Sequence, residues 1–206
     1  MNFKLNDYNT FIKENWSGDG INIFDVDDTI ICTNAKIHVY DPIKKENFTL
    51  STEEYNDFEN KKHFQMDFTD FDDIEIMRKG IIVDWVFTIL KKTMIMGKAV
   101  GIITARSDAK MIRQFFLEHG IDINPNFIFA VGGTKTTKTI AELKLDSFKT
   151  LINYGFKRFQ YFDDDLKNIA IAKTLENEYS NVNVVTKHIK KKWLSQLKNK
   201  LKEIKK

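Results

Sequence analysis

The chain has 206 residues, 42% hydrophobic and 30% charged, which leaves room for one ample soluble domain or one domain with a small insertion. A single cysteine, Cys32, excludes an intrachain disulfide and suits a reducing compartment. The net charge of +3 is unevenly spread: segment 187–206 carries nine lysines and one glutamate, so the rest of the chain is acidic by five. The first residues, Met1–Asp7, hold no apolar signal core. The longest apolar helix candidate, Ile81–Leu90, is broken by Asp84 and too short to span a bilayer. The expectation is a cytoplasmic protein (host cytoplasm for a phage-encoded chain) with no membrane partner.

In chain order, the first buried-strand pattern is Ile21–Phe24, which ends abruptly in Asp25-Val26-Asp27-Asp28-Thr29. Three acids closing a buried strand repel one another and are costly to desolvate unless a cation sits among them. The pattern therefore suggests a magnesium site at a strand's carboxyl end, where open α/β sheets place their chemistry. Residues two apart in extended chain face the same side, so Asp25 and Asp27 can address one bound group. Cys32 lies just beyond, in an apolar stretch, and reads as a buried bystander.

Residues 33–80 break the pattern. They hold eleven acids against seven bases and read as an insertion after the first strand. Ser51-Thr52-Glu53-Glu54 is a capping box that predicts a short helix. The alternation of Phe64, Met66 and Phe68 predicts an extended piece. His38 and His63 match no zinc spacing.

A helix is predicted over Ile81–Met96, then a strand over Ala99–Ile103 followed by Thr104-Ala105-Arg106-Ser107-Asp108. A helix over Ala109–Glu118 stops at His119-Gly120, and a strand over Phe127–Val131 exits through Gly132-Gly133-Thr134-Lys135. A helix over Asp146–Tyr154 takes Asp146 as its cap, and the strand Phe159–Phe162 runs into Asp163-Asp164-Asp165. A helix over Leu166–Tyr179 and a strand over Val182–Val185 complete the alternation, which argues for a parallel sheet covered on both faces. From 187 to 206, Ile189, Trp193, Leu197, Leu201 and Ile204 form one apolar stripe among lysines, as on a basic amphipathic helix docked on the body. Phosphate contacts to nucleic acid are the alternative role for that stretch.

Three polar clusters each follow an apolar strand, and in a parallel sheet they emerge along one edge. Together they resemble the motifs of the haloacid dehalogenase-like (HAD) phosphohydrolases: Asp25-Val26-Asp27-Asp28-Thr29, then Ile103-Thr104-Ala105-Arg106, then a lysine, then Asp163-Asp164. The resemblance spans about residues 21–185. It implies a three-layer Rossmann-like α/β fold, with a core of residues 1–32 and 81–206 and a small cap from 33–80. It implies that Asp25 is the nucleophile that forms an aspartyl-phosphate and that Asp27 is the general acid/base. It implies a magnesium ion among Asp25, the Asp27 carbonyl and Asp163 or Asp164. Thr104, with Ala105 and Arg106, would bind the transferring phosphoryl group. Asp28 stands where the family usually has glycine. The lysine of the third motif fits Lys144 best, with Lys138 and Lys149 as competitors. Asn168 is either within reach of the metal's water shell or an amide on a helix face.

Arg106 also makes the chain similar to phage polynucleotide kinase 3′-phosphatases and RNA-repair relatives, where an arginine near this motif contacts phosphate. Its alternative is a local pair with Asp108. No Gly-x-x-x-x-Gly-Lys-Ser/Thr loop occurs, so only a phosphatase half is implied. The expected activity is magnesium-dependent phosphomonoester hydrolysis on nucleotide or polynucleotide phosphate ends. The alternatives are a small-molecule phosphatase and a non-catalytic interaction module on the same fold.

Overall fold

The computed structural model describes residues 18–59, 61–134 and 136–190. Its strands, in chain order, are β1 (Gly20–Phe24), β2 (Ile31–Cys32), β3 (Ile37–Asp41), β4 (Glu46–Leu50), β5 (Gln65–Asp67), β6 (Ile81–Ile82), β7 (Ala99–Thr104), β8 (Ile128–Ala130), β9 (Arg158–Asp163) and β10 (Asn183–His188). Its α-helices are α1 (Thr52–Asp57), α2 (Ile74–Arg78), α3 (Asp84–Ile95), α4 (Ala109–Glu118), α5 (Ile140–Asn153), α6 (Leu166–Lys173) and α7 (Leu175–Glu178).

Five strands form one parallel sheet in the order β10-β9-β1-β7-β8. The alternation of side chains sorts the core into two apolar layers. Ile21, Ile23, Phe159 and Tyr161 face Phe148 and Leu151 of α5 and Leu175 of α7. Phe24, Val100, Ile102 and Phe162 face Val86 and Leu90 of α3 and Ile112 and Phe116 of α4. Helices on both faces of a parallel sheet make a three-layer, Rossmann-like α/β architecture, as the strand–helix alternation predicts. The chain builds outward from β1 to β7 and β8, then returns to β9 on the other side. The switch point therefore lies between β1 and β9, whose Phe24 and Phe162 rings stack at 4.6 Å. Among the described residues, no helix is long and apolar enough to cross a membrane.

Several elements differ from the sequence expectation. The Ile81–Met96 helix loses its first turn: β-branched Ile81 and Ile82 pair antiparallel with Cys32 and Ile31, and the helix starts at Asp84. The helix expected from Asp146 starts six residues earlier, because Thr139 and Glu142 form a reciprocal capping box. Asp146 is thus not a cap; it lies inside α5 and accepts from Lys138 at 2.6 Å. The helix expected over Leu166–Tyr179 divides at Thr174 into α6 and α7. Lys187 and His188 belong to β10 rather than to a C-terminal helix; residues 191–206 of that expected helix lie outside the described residues.

Between β2 and β6 lies a second, antiparallel sheet of order β4-β3-β5. Ile37 and Val39 on its inner face pack with Ala35 and Phe71, against Phe48, Tyr55, Met66 and Ile76. Ser51 caps α1 through the predicted capping box. The extended piece around Met66 is β5, paired with β3.

Candidate active site

The chain leaves β1 still paired to the sheet: the Asp25 N–H donates to the Phe162 carbonyl at 2.9 Å. It then closes a tight loop, in which the Val26 carbonyl accepts from the N–H groups of Thr29, Ile30 and Ile31 at 3.3, 2.9 and 3.0 Å. Asp28 turns this loop with a φ of +55°, a left-handed conformation that aspartate tolerates better than most side chains. Glycine adopts it most readily. The buried Asp28 carboxylate accepts from the Thr52 hydroxyl of α1 at 2.8 Å, so the insertion touches the loop.

Opposite, Asp163 ends β9 with no exposed surface. Its Oδ1 accepts from the Asp165 N–H at 2.7 Å, and its Oδ2 accepts from the Tyr161 hydroxyl and from Asn168 at 3.1 Å. Burial, then Asp163 and Asp25, push the Tyr161 phenol well above its ordinary range, so it remains a donor. Lys144 reaches in from α5. Its Nζ donates to Asp25 Oδ1 at 2.7 Å and to Asp163 Oδ2 at 2.8 Å, and the residue is 2% exposed. Burial works against this ammonium, but Asp163 and Asp25 outweigh it and hold the group above its usual range. The two competing lysines are elsewhere: Lys138 pairs with Asp146, and Lys149 with Glu178.

Asp164 completes the cluster. One carboxylate oxygen each from Asp25, Asp163 and Asp164 lie within 4.8 Å of one another, an arrangement that could hold a metal ion. The Asp164 side chain makes no hydrogen bond among the described residues, so its oxygens are the least committed of the three. Counted as ionised groups, three carboxylates against one ammonium leave two negative charges for a cation to balance. Burial pushes the Asp25 carboxyl above its usual range, with Lys144 opposing and Asp163 adding to the rise. Burial, then Asp25 and Asp163, push Asp164 up to about 8.

A pH dependence follows. Between the ordinary Asp164 value of 3.8 and about 8, the folded chain holds a proton that the unfolded chain has shed. This contribution therefore makes the metal-free protein less stable as pH rises through that window. In chelator at pH 8, Asp164→Asn is expected to melt several degrees above the parent, with the gap closing toward pH 4. A cation that binds all three carboxylates would reverse the order by stabilising the parent more than the variant. A gap of the same size at both pH values would show that Asp164 titrates normally.

Asp27 is turned away from this group. Its carboxylate takes a two-point contact from Arg106, Nε to Oδ2 at 2.8 Å and Nη2 to Oδ1 at 2.7 Å. The structure therefore brings the carboxylates of Asp25, Asp163 and Asp164 together, but not that of Asp27. Arg106 is 1% exposed, and its Nη1 donates to the Phe71 carbonyl of the insertion. Asp108, the expected local partner, instead caps α4 through the N–H groups of Lys110 and Met111. Thr104 ends β7 fully buried, its Oγ1 accepting from the Arg106 N–H at 3.3 Å. Ala105 is exposed, and its carbonyl lies hard against Gly132, where an added Cβ would stand 1.9 Å from that oxygen. Gly132→Ala must displace backbone on one side or the other. It is expected to cost about 3 kcal/mol or more, read as a lowered denaturation midpoint, whereas an unchanged midpoint would show a compliant loop.

Tyr161, Asp72 and Thr52, which touch the site's residues, stand in none of the three polar clusters of the sequence. Tyr161 carried a usable signal, since it stands two residues before Asp163 and shares its side of the strand. Asp72 and Thr52 carried none, because their partners, Ser107 and Asp28, are distant in sequence. Comparison with family models, with curated proteins and with solved structures yields no match to this chain.

Proposed function

We propose that the chain is a magnesium-dependent phosphomonoesterase in which Asp25 attacks phosphorus. The observation that carries this reading is the meeting of Asp25, Asp163 and Asp164 around the buried Lys144 ammonium, at the carboxyl ends of β1 and β9. All donors in the cluster are carboxylate oxygens, with no thiol or imidazole, which suits a hard ion such as magnesium. Bound there, magnesium would screen the repulsion between an anionic nucleophile and an anionic phosphate.

The chain's own groups supply the rest. Lys144 occupies Asp25 Oδ1, orients the carboxylate and leaves Oδ2 for phosphorus. Tyr161 and Asn168 hold Asp163 in one orientation. Attack by Asp25 forms an O–P bond and breaks the bond to the leaving oxygen, which takes a proton that the Asp27 carboxyl has first bound from solvent while held by Arg106. Water then attacks the aspartyl-phosphate, gives its proton to Asp27, and releases phosphate and free Asp25. The resemblance to the haloacid dehalogenase-like phosphohydrolases supports these roles, as does the left-handed backbone at Asp28. Thr104, with the amides near Ala105 and Arg106, is assigned to the phosphate oxygens.

Nucleotide or polynucleotide phosphate ends are the proposed substrates, on the strength of the chain's similarity to phage polynucleotide 3′-phosphatases and RNA-repair relatives and of the lysine-rich segment 187–206. Small phosphate monoesters are the second reading, favoured by the acidic insertion that touches the site at Asp28 and Ser107. Release of phosphate from an aryl phosphate is expected to require magnesium. A panel of 3′-phosphorylated oligonucleotides, mononucleotides and sugar phosphates then ranks the substrates. No magnesium-dependent hydrolysis of any of them would overturn the proposal.

A further inference from the structure

We infer that Arg106 is a positioning residue that couples the seating of the 33–80 insertion to the carboxylate of Asp27. The mechanical half of this inference stands on geometry alone; the kinetic half rests on the phosphatase reading.

The Arg106 backbone is anchored in the core. Its N–H donates to Thr104 Oγ1 at 3.3 Å, and its carbonyl accepts from the Gly132 N–H at 3.0 Å. The side chain has no exposed surface and bridges two parts of the molecule. Nε and Nη2 hold both oxygens of Asp27, while Nη1 donates to the Phe71 carbonyl, with the Phe71 ring 5.6 Å from the guanidinium carbon. Phe71 belongs to the apolar cluster of the small sheet, so its carbonyl moves with the insertion. One residue along on each side, the Asp72 carboxylate accepts from the Ser107 N–H at 3.3 Å and from the Ser107 hydroxyl. Residues 71–72 and 106–107 thus form a seam between the insertion and the loop after β7.

The guanidinium fork fixes the plane of the Asp27 carboxylate, which a single ammonium could not do. If the insertion lifts, Nη1 loses its acceptor, water reaches the pair, and the hold on Asp27 loosens. Three of the five guanidinium N–H groups donate to protein acceptors and the side chain has no exposed surface, which favours positioning over direct phosphate binding.

The test uses leaving groups. A nitrophenolate departs without a proton, whereas an alkoxide needs one, so a defect acting through Asp27 falls on alkyl phosphates. Arg106→Lys is expected to lower kcat about 100-fold on an alkyl phosphate but less than about tenfold on nitrophenyl phosphate, with KM changed by less than about threefold. Asp72→Ala, on an exposed residue outside the catalytic set, should show the same asymmetry at smaller size, even where Arg106→Lys fails to fold. The double variant should lose no more than Arg106→Lys alone. Equal losses on both substrates with a raised KM would make Arg106 a phosphate ligand and overturn the inference, as would additive losses. A parent protein that hydrolyses neither substrate sinks the phosphatase reading instead. Hydrogen exchange then decides the coupling: Asp72→Ala should speed amide exchange over 25–31, and Arg106→Lys over 69–78. Unchanged exchange at both would refute it.

Discussion

Asp25→Asn is expected to lower magnesium-dependent turnover by at least about 1,000-fold while leaving the fold intact. An amide oxygen can still accept from Lys144, but it is no nucleophile toward phosphorus. The substitution also removes one of three crowded carboxylates, so the melting temperature in chelator should not fall. Initial rates and a thermal melt on the same preparation check both halves. A variant retaining more than about a tenth of the parent rate would exclude Asp25 as the attacking group.

Lys144→Met is the second large effect, and it falls on stability. The ammonium is the sole cation that the described residues place on the buried carboxylates of Asp25 and Asp163. Breaking a buried ion pair from one side typically costs about 3–5 kcal/mol, because the remaining charge stays desolvated and unpaired. For a chain of this size that is a fall on the order of 10 °C in melting temperature. Magnesium should restore part of the loss, and so should Asp163→Asn in the same chain, which removes the stranded charge. A fall of less than about 2 °C would show that the carboxylates shed their charge by protonation and need no cation.

The site was legible in the sequence where chemistry coincided with a strand end. Asp25, Thr104 and Asp163 each interrupt an apolar run, and adjacent parallel strands bring such interruptions to one edge. Which lysine joins them was less legible. The chain holds 32 basic residues, and the start of α5 was misplaced because the Thr139–Glu142 capping box competed with Asp146. With Thr139 as the cap, Lys144 falls in the second turn of the helix. The strand Ile81–Ile82 was hidden inside a longer apolar run, where periodicity cannot separate a strand from a buried helix turn. Strands β3 and β4 were missed in the insertion, although Ile37-His38-Val39-Tyr40 alternates, because a strand that short is defined by its partners. The Arg106–Asp27 pair spans 79 positions, and Gly132 matters only through a backbone it approaches in space. Such contacts are properties of the folded chain and leave no local pattern.

If Asp25 is the attacking group, it becomes covalently phosphorylated during turnover. Acid-quenched protein, taken during hydrolysis and reduced with borohydride, converts an aspartyl-phosphate to homoserine, which peptide mass spectrometry can locate. Homoserine is expected at position 25, dependent on substrate and magnesium. Hydrolysis that proceeds with homoserine at another position, or at none, would contradict that expectation.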